Sequence, residues 1–108
     1  MDALGTFVKS RYALKTTLSL EAVAERLASP AQDYNLAEPP KQVGGGYLIK
    51  ALYKDVSVWR PVDIQLWQGE GKVLFSIQIP LKDGRSEKHM LNEVARLLED
   101  ILKNKKAT

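Results

Sequence analysis

The sequence predicts an α+β domain with one largely antiparallel four-stranded sheet, in the chain order β-α-β-β-β-α, and with both helices on one face. Three observations lead to this prediction. Apolar and polar side chains alternate in four segments, apolar side chains recur at helical spacing in two others, and the 108 residues suffice for a single hydrophobic core. We therefore expect residues 1–108 to form one domain.

The first two predicted elements are a strand and a short helix. Residues 6–18 alternate between apolar and charged side chains, which is the pattern of a strand with one buried face. Ser19 favours the start of a helix, because its hydroxyl can accept a hydrogen bond from a first-turn N–H group. Apolar side chains then recur at helical spacing over residues 20–27, and Pro30 marks the end.

Residues 30–46 are predicted to form a long mobile loop. They contain three prolines and three consecutive glycines and have no sustained periodicity. The glycines do not fit a phosphate-binding loop, because Tyr47 begins an apolar strand where such a loop continues into a helix.

The next three strands are expected to form a meander of two hairpins. A turn at residues 54–55 would place Lys50 opposite Trp59, and the second turn would pair Leu66 with Val73. Apolar residues then face apolar residues in both hairpins. This agreement favours the arrangement, because a slip of one residue would send every side chain to the opposite face.

A final helix follows, beginning at a Ser86 cap. Apolar side chains at helical spacing over residues 90–102 make a wide stripe that suits packing against a sheet. Reaching a second subunit is the alternative use of this stripe. His89 lies in the first turn, where exposure to solvent is usual. Residues 104–108 are expected to be a frayed basic tail.

The two tryptophans are the most informative side chains. Strict alternation over residues 56–67 puts Trp59 and Trp67 among polar residues, on the face away from the helices. A bulge at Pro61 would instead send them to different faces. Arg60 falls on the apolar face, where we expect it to extend its head to solvent or to pair with an acid from a helix.

Cations accompany the two indoles on the same predicted face. Five lysines or arginines meet one carboxylate, Asp63. Planar rings can stack on unpaired bases and separated cations can contact phosphates, so this combination is typical of proteins that bind single-stranded DNA or RNA with weak sequence preference. The predicted nucleic-acid-binding residues are Phe7, Lys9, Arg11, Lys15, Lys50, Trp59, Gln65, Trp67 and Lys72.

Two other functions remain open. The same face could contact another protein or a second copy in a homodimer, because tryptophan and arginine are enriched at interfaces and Leu48, Leu52 and Leu74 share this face. Alternatively, the sheet could curl around the last helix and form a small apolar ligand pocket, with residues 30–46 as its lid.

Composition disfavours catalysis. There is no cysteine and only one histidine, which argues against disulfides, zinc sites and a cysteine nucleophile. We expect a non-enzymatic protein without metal or cofactor. No secretory leader pattern or long apolar run is present, so we expect a cytoplasmic protein that does not enter membranes.

Overall fold

The structure is a computed structural model that describes residues 7–29, 33–80 and 86–103. Within these ranges the chain forms six strands and two helices. In chain order they are β1 (Phe7–Lys15), α1 (Leu20–Leu27), β2 (Tyr34–Leu36), β3 (Lys41–Val43), β4 (Gly46–Asp55), β5 (Val58–Gly69), β6 (Lys72–Pro80) and α2 (Ser86–Lys103).

All strand pairs in the sheet are antiparallel. The spatial order is β1-β6-β5-β4-β2, and β3 pairs with a second stretch of the same outer edge of β4. The predicted α+β class with a largely antiparallel sheet is confirmed. The prediction of four strands in the order β-α-β-β-β-α is wrong, because two more strands precede β4.

The two additional strands lie in the segment predicted to be a loop. In β2, Tyr34 pairs with Tyr53, and in β3, Lys41 pairs with Leu48. Each strand has only three residues, which is too short for an alternating pattern to appear in the sequence. Residues 30–32 of this segment and residues 104–108 of the predicted tail lie outside the described residues.

The first hairpin turns later than predicted. Its turn lies at Val56 and Ser57, so Lys54 faces Trp59 and Lys50 faces Asp63, and the predicted pairing of Lys50 with Trp59 is wrong. Val56 has a φ of 62°, a left-handed conformation that β-branched residues rarely adopt. A turn without glycine or asparagine leaves little trace in the sequence.

The second hairpin also differs in register. Its turn is Glu70–Gly71, where Gly71 supplies the positive φ of 66°, so Leu66 pairs with Phe75 rather than with Val73. The predicted register differs from the observed one by two residues in this hairpin and by four residues in the first hairpin. Because both numbers are even, each side chain stays on its predicted face.

One face of the sheet and the two helices enclose the hydrophobic core. α1 packs against β4 and β5, α2 packs against β6 and β1, and the helices contact each other. On β1 and β6, the Tyr12 and Phe75 rings stack with centroids 5.4 Å apart. The buried core residues are Leu14, Val23, Ala24, Leu27, Tyr34, Ile49, Ala51, Val62, Ile64, Leu66, Val73, Phe75, Ile77, Ile79, Met90, Leu91, Val94, Ala95, Leu98 and Leu102.

The helix ends are held by local side-chain contacts. Ser19 Oγ accepts a hydrogen bond from the Ala22 N–H at 3.1 Å, which confirms the predicted cap of α1. Arg26 Nη1 donates to the Leu102 carbonyl at 3.1 Å, which places a cation at the C-terminal end of α2. Ser86, predicted as the cap of α2, is the first residue of that helix.

A buried ion pair joins β5 to α2. Arg60 Nη2 donates to Glu87 Oε2 at 2.7 Å, and Arg60 Nη1 lies 3.6 Å from Asp55 Oδ2. The Glu87 side chain is 0% exposed. The prediction that Arg60 pairs with an acid from a helix is confirmed. Since either charge alone would be buried without its partner, the pair fixes the start of α2 against the sheet.

We predict that Glu87→Gln lowers the free energy of unfolding by about 3 kcal/mol, because the buried Arg60 guanidinium loses its 2.7 Å carboxylate partner and keeps only Asp55 at 3.6 Å. Arg96→Gln is the matched control, since it breaks the exposed Arg96–Glu93 pair of 3.7 Å on the same helix and should cost about 0.5 kcal/mol or less. Urea denaturation measures both. Equal losses in the two variants would show that the Arg60–Glu87 pair does not anchor α2.

Tyr34 links β2 to the end of α1. Its side chain is buried and its hydroxyl donates a hydrogen bond to the Leu27 carbonyl. Burial raises the pKa of the Tyr34 phenol well above its ordinary value, because the charged phenolate would lose its hydration. The folded state therefore favours the neutral phenol.

A neutral buried phenol makes stability depend on pH in the alkaline range. The folded pKa of Tyr34 lies above the unfolded value of 10.0, so its contribution is complete below about pH 10 and is lost progressively above it. We predict that Tyr34→Phe is less stable than the wild type by about 1 kcal/mol at pH 7. This difference should shrink above about pH 10 in urea titrations. A constant difference from neutral to alkaline pH would contradict the assignment.

Candidate functional site

The sheet face opposite the helices carries every residue predicted to bind nucleic acid. We call it the open face and define it by its alternating side chains on the four long strands. These are Phe7, Lys9, Arg11, Ala13 and Lys15 of β1, Lys72, Leu74, Ser76 and Gln78 of β6, Trp59, Pro61, Asp63, Gln65 and Trp67 of β5, and Leu48, Lys50, Leu52 and Lys54 of β4. None of the described helices covers it.

The pleat of β5 runs through Pro61 without a bulge. Pro61 pairs with Leu52 of β4 in continuous register, and it lies beyond Asp63, the last β5 residue that pairs with β6. Proline is tolerated at such a position because it adjoins only one ladder. The prediction that Trp59 and Trp67 share one face is confirmed, and they are 45% and 39% exposed.

The two indoles lie at opposite ends of the open face. Trp67 lies eight positions after Trp59 in the sequence, which corresponds to about 26 Å along an extended strand. Phe7, which is also exposed, pairs with Pro80 near the Trp59 end. The aromatic residues therefore flank the middle of the sheet and do not form one cluster.

Gly46 lets the backbone of β4 approach β5 closely beside Trp67. A Cβ atom at Gly46 would overlap the carbonyl oxygen of Leu66 and would lie 3.6 Å from Trp67 Cδ1. Glycine is therefore required at this point of the sheet.

Polar and cationic side chains fill the space between the aromatic ends. Lys9 faces Gln78, Gln78 faces Asp63, and Asp63 faces Lys50. In the described part of the chain, the five predicted cations of the open face form no ion pair. Asp63 does not neutralise Lys50, so the charge of these cations remains available to an anionic ligand.

The next row across the sheet contains a buried hydroxyl. Ser76 faces Arg11 on one side and Gln65 on the other, and it is 1% exposed although it lies on the open face. Within the described ranges its hydroxyl has no hydrogen-bond partner. It is thus a free donor and acceptor between a guanidinium and an amide.

Two cations of this face were not among the predicted site residues. Lys54 faces Trp59, and Lys41 faces Leu48 from the outer strand β3. Lys54 was assigned to a turn and Lys41 to a loop, so only the correct register could have revealed them. Lys41 lies 3.8 Å from Glu38, which offsets part of its charge.

The described residues give little support to a catalytic site, a metal site or a membrane-spanning helix. His89 is exposed, and no group of three or more histidine, aspartate or glutamate side chains in these ranges could hold a metal ion. Tyr53, on the core face, has a raised pKa because of burial and then the nearby charges of Glu93, Asp33 and Asp55. In the described ranges, neither helix is long and apolar enough to cross a lipid bilayer.

Comparison of the chain with protein families, with curated proteins and with solved structures gave no match in any of the three. The chemistry of the open face therefore carries the functional argument.

Charged quenchers test this geometry without any biological ligand. The cations near Trp59 and Trp67 should concentrate iodide and repel caesium, so we predict that the ratio of iodide quenching to caesium quenching is several times larger than for free tryptophan. Added sodium chloride should reduce this ratio by screening. The variants Trp59→Phe and Trp67→Phe each leave one tryptophan, so the quenching of each indole can be measured alone. A ratio no larger than that of free tryptophan would contradict a cationic environment.

Proposed function

We propose that the protein binds single-stranded DNA or RNA through the open face, with weak sequence preference and without catalysis. The observation that carries this proposal is the arrangement along β5. Two exposed indoles lie at the ends of one unbroken strand face, and cations without ion-pair partners among the described residues lie between and beside them. A strand of nucleic acid presents the complementary features, planar bases along a line of phosphates.

The aromatic residues suit stacking by unpaired bases. Each stacked base contributes about 1 to 3 kcal/mol, and stacking tolerates every base because each one has a flat π surface. Trp59 and Trp67 are about 26 Å apart, which matches about eight nucleotides at 3.4 Å each and fewer if the strand is extended. An oligonucleotide of about a dozen bases would reach both rings.

The cations suit the phosphates of the same strand. If four phosphates are neutralised, the logarithm of the binding constant should fall with the logarithm of salt concentration at a slope of about −3. This slope corresponds to about a sixtyfold loss of affinity between 50 and 200 mM salt. The exposed Gln65 adds a neutral hydrogen-bonding group between the cations, and it allows only a modest preference among bases.

A protein interface is the second candidate, and it rests on the apolar residues near Trp67. Leu74 pairs directly with Trp67, and Val43 at the neighbouring edge is exposed. Such a patch would suit a homodimer or another protein. Self-pairing through the β1 edge is disfavoured, because Lys9, Arg11 and Lys15 would meet the same charges of a second copy.

The proposed location is the cytoplasm, because the absence of cysteine is compatible with a reducing environment.

An apolar ligand site under a lid of residues 30–46 is the third candidate. It has the least support, because the described part of that segment forms strands at the edge of β4.

Tryptophan fluorescence tests the proposal directly. We predict that an oligothymidine of about twelve bases quenches the emission with micromolar affinity at low salt, and that salt reverses the quenching at the slope given above. Trp67→Ala and Lys50→Ala should each weaken binding about fivefold or more. Lys88→Ala is the matched control, since it removes an exposed charge from α2 and should leave affinity nearly unchanged.

Three results would contradict nucleic-acid binding through this face. They are an absence of quenching at low salt, quenching that is insensitive to salt, and equal losses in Lys50→Ala and Lys88→Ala. Light scattering examines the second candidate, because a dimer that Trp67→Ala converts to a monomer would favour self-association.

A further inference from the structure

A cavity of about 460 Å³ lies just beyond the Trp67 end of the open face. It is formed where the end of β1 and the residues that follow it, the last turn of α1, the β5–β6 turn and the C-terminal end of α2 meet. Its lining includes three cations, Lys15, Arg26 and Lys103, and no carboxylate. Such a lining favours an anion.

Two polar side chains of the lining, Arg26 and Thr16, have hydrogen-bond donors that are not used within the lining itself. Arg26 is held in place because its Nη1 donates to the Leu102 carbonyl at 3.1 Å, and a guanidinium has five N–H donors in all. Thr16 Oγ1 accepts a hydrogen bond from the Leu18 N–H at 3.1 Å, which leaves its own proton free to be donated. Thr17, which is exposed, brings a second hydroxyl to the lining.

The remaining wall is apolar and includes Leu14, Leu18 and Leu102. The cavity thus joins a cationic, hydroxyl-bearing side to an apolar side. A ligand that fits both would have a strongly anionic group attached to a flat or apolar body.

The cavity lies at the end of the sheet on the side of the helices, and it shares one residue with the open face. Lys15 belongs to both, and it faces Lys72 across the β1–β6 pair. Gly71, in the turn beside Lys72, also lines the cavity. A strand that follows β5 from Trp59 past Trp67 reaches the end of the sheet beside Lys72, and its terminus would have to turn around this end to enter the cavity.

We infer that the cavity binds the terminal phosphate monoester of a nucleic-acid strand that lies on the open face, a conclusion that rests on the proposed function. A terminal monoester carries about −1.5 to −2 charges near neutral pH, more than a single internal phosphate, and it suits three cations without a carboxylate. The terminal base or sugar would contact the apolar wall. A free nucleotide monophosphate presents the same chemistry.

Three oligothymidines of about twelve bases test this inference: one with a 5′-phosphate, one with a 3′-phosphate and one with hydroxyls at both ends. We expect one phosphorylated form to bind about five- to tenfold more tightly than the hydroxyl form, which also tells which end enters. Lys103→Gln should reduce this gain to about twofold or less and leave the affinity of the hydroxyl form unchanged. Thr17→Ala should act in the same direction.

Lys88→Gln is the control, because it removes the same charge from the other end of the same helix and should leave the gain intact. Lys88 and Lys103 are both exposed, so neither change threatens the core, and circular dichroism checks the fold. Equal affinities for the three oligonucleotides would overturn the inference. A gain that persists in Lys103→Gln would overturn it as well.

The outcomes also separate this inference from the proposed function. Binding of all three oligonucleotides with equal affinity, lost in Lys50→Ala, would support the open face and remove the phosphate site. If no oligonucleotide binds but thymidine monophosphate shifts the amide signals of Thr16 and Thr17, the phosphate site stands as a nucleotide site and the proposed function fails.

Discussion

The unbroken alternation of β5 decides which side chains face the helices and which face away. Arg60 turns inward to meet Glu87 of α2, so its neighbour Trp59 must turn outward. Leu66 is buried in the core, so Trp67 must also turn outward. The ion pair at one end of β5 and the apolar packing at the other thus keep the same alternation of side chains between the two faces along the whole strand. A one-residue slip would bury the indoles and expose Leu66 and Arg60, at a cost in both packing and charge burial.

The sequence allowed the faces to be predicted but not the register. Alternation assigns each side chain to a face independently of its partner, so the errors of four and two residues in the hairpins left the open face intact. The predicted registers were wrong because Val56 adopts a positive φ without being glycine and because β5 continues to Gly69, which leaves only Glu70 and Gly71 for the second turn. The strands β2 and β3 were missed because their three residues depend on the edge of β4 for their pairing.

The candidate site was predictable to the same extent. All nine predicted residues share the open face, because their parity places them there. Features that depend on contacts across strands were not predictable: the pairing of Lys54 with Trp59, the burial of Ser76 and the cavity beside Lys15. The separation of the two indoles follows from the sequence itself once β5 is continuous. It suits a strand that spans the sheet rather than a few bases in one cluster.

The most direct test of this account uses the two indole N–H signals in a ¹H–¹⁵N correlation spectrum, since the chain has two tryptophans. On titration with an oligothymidine of about twelve bases, the account predicts that both signals shift with the same affinity, together with the amides of Gln65 and Lys9. A fragment of about three bases should be too short to reach both rings at once. Saturating oligonucleotide that leaves both indole signals in place, or that shifts only residues of α1 and α2, would contradict the account.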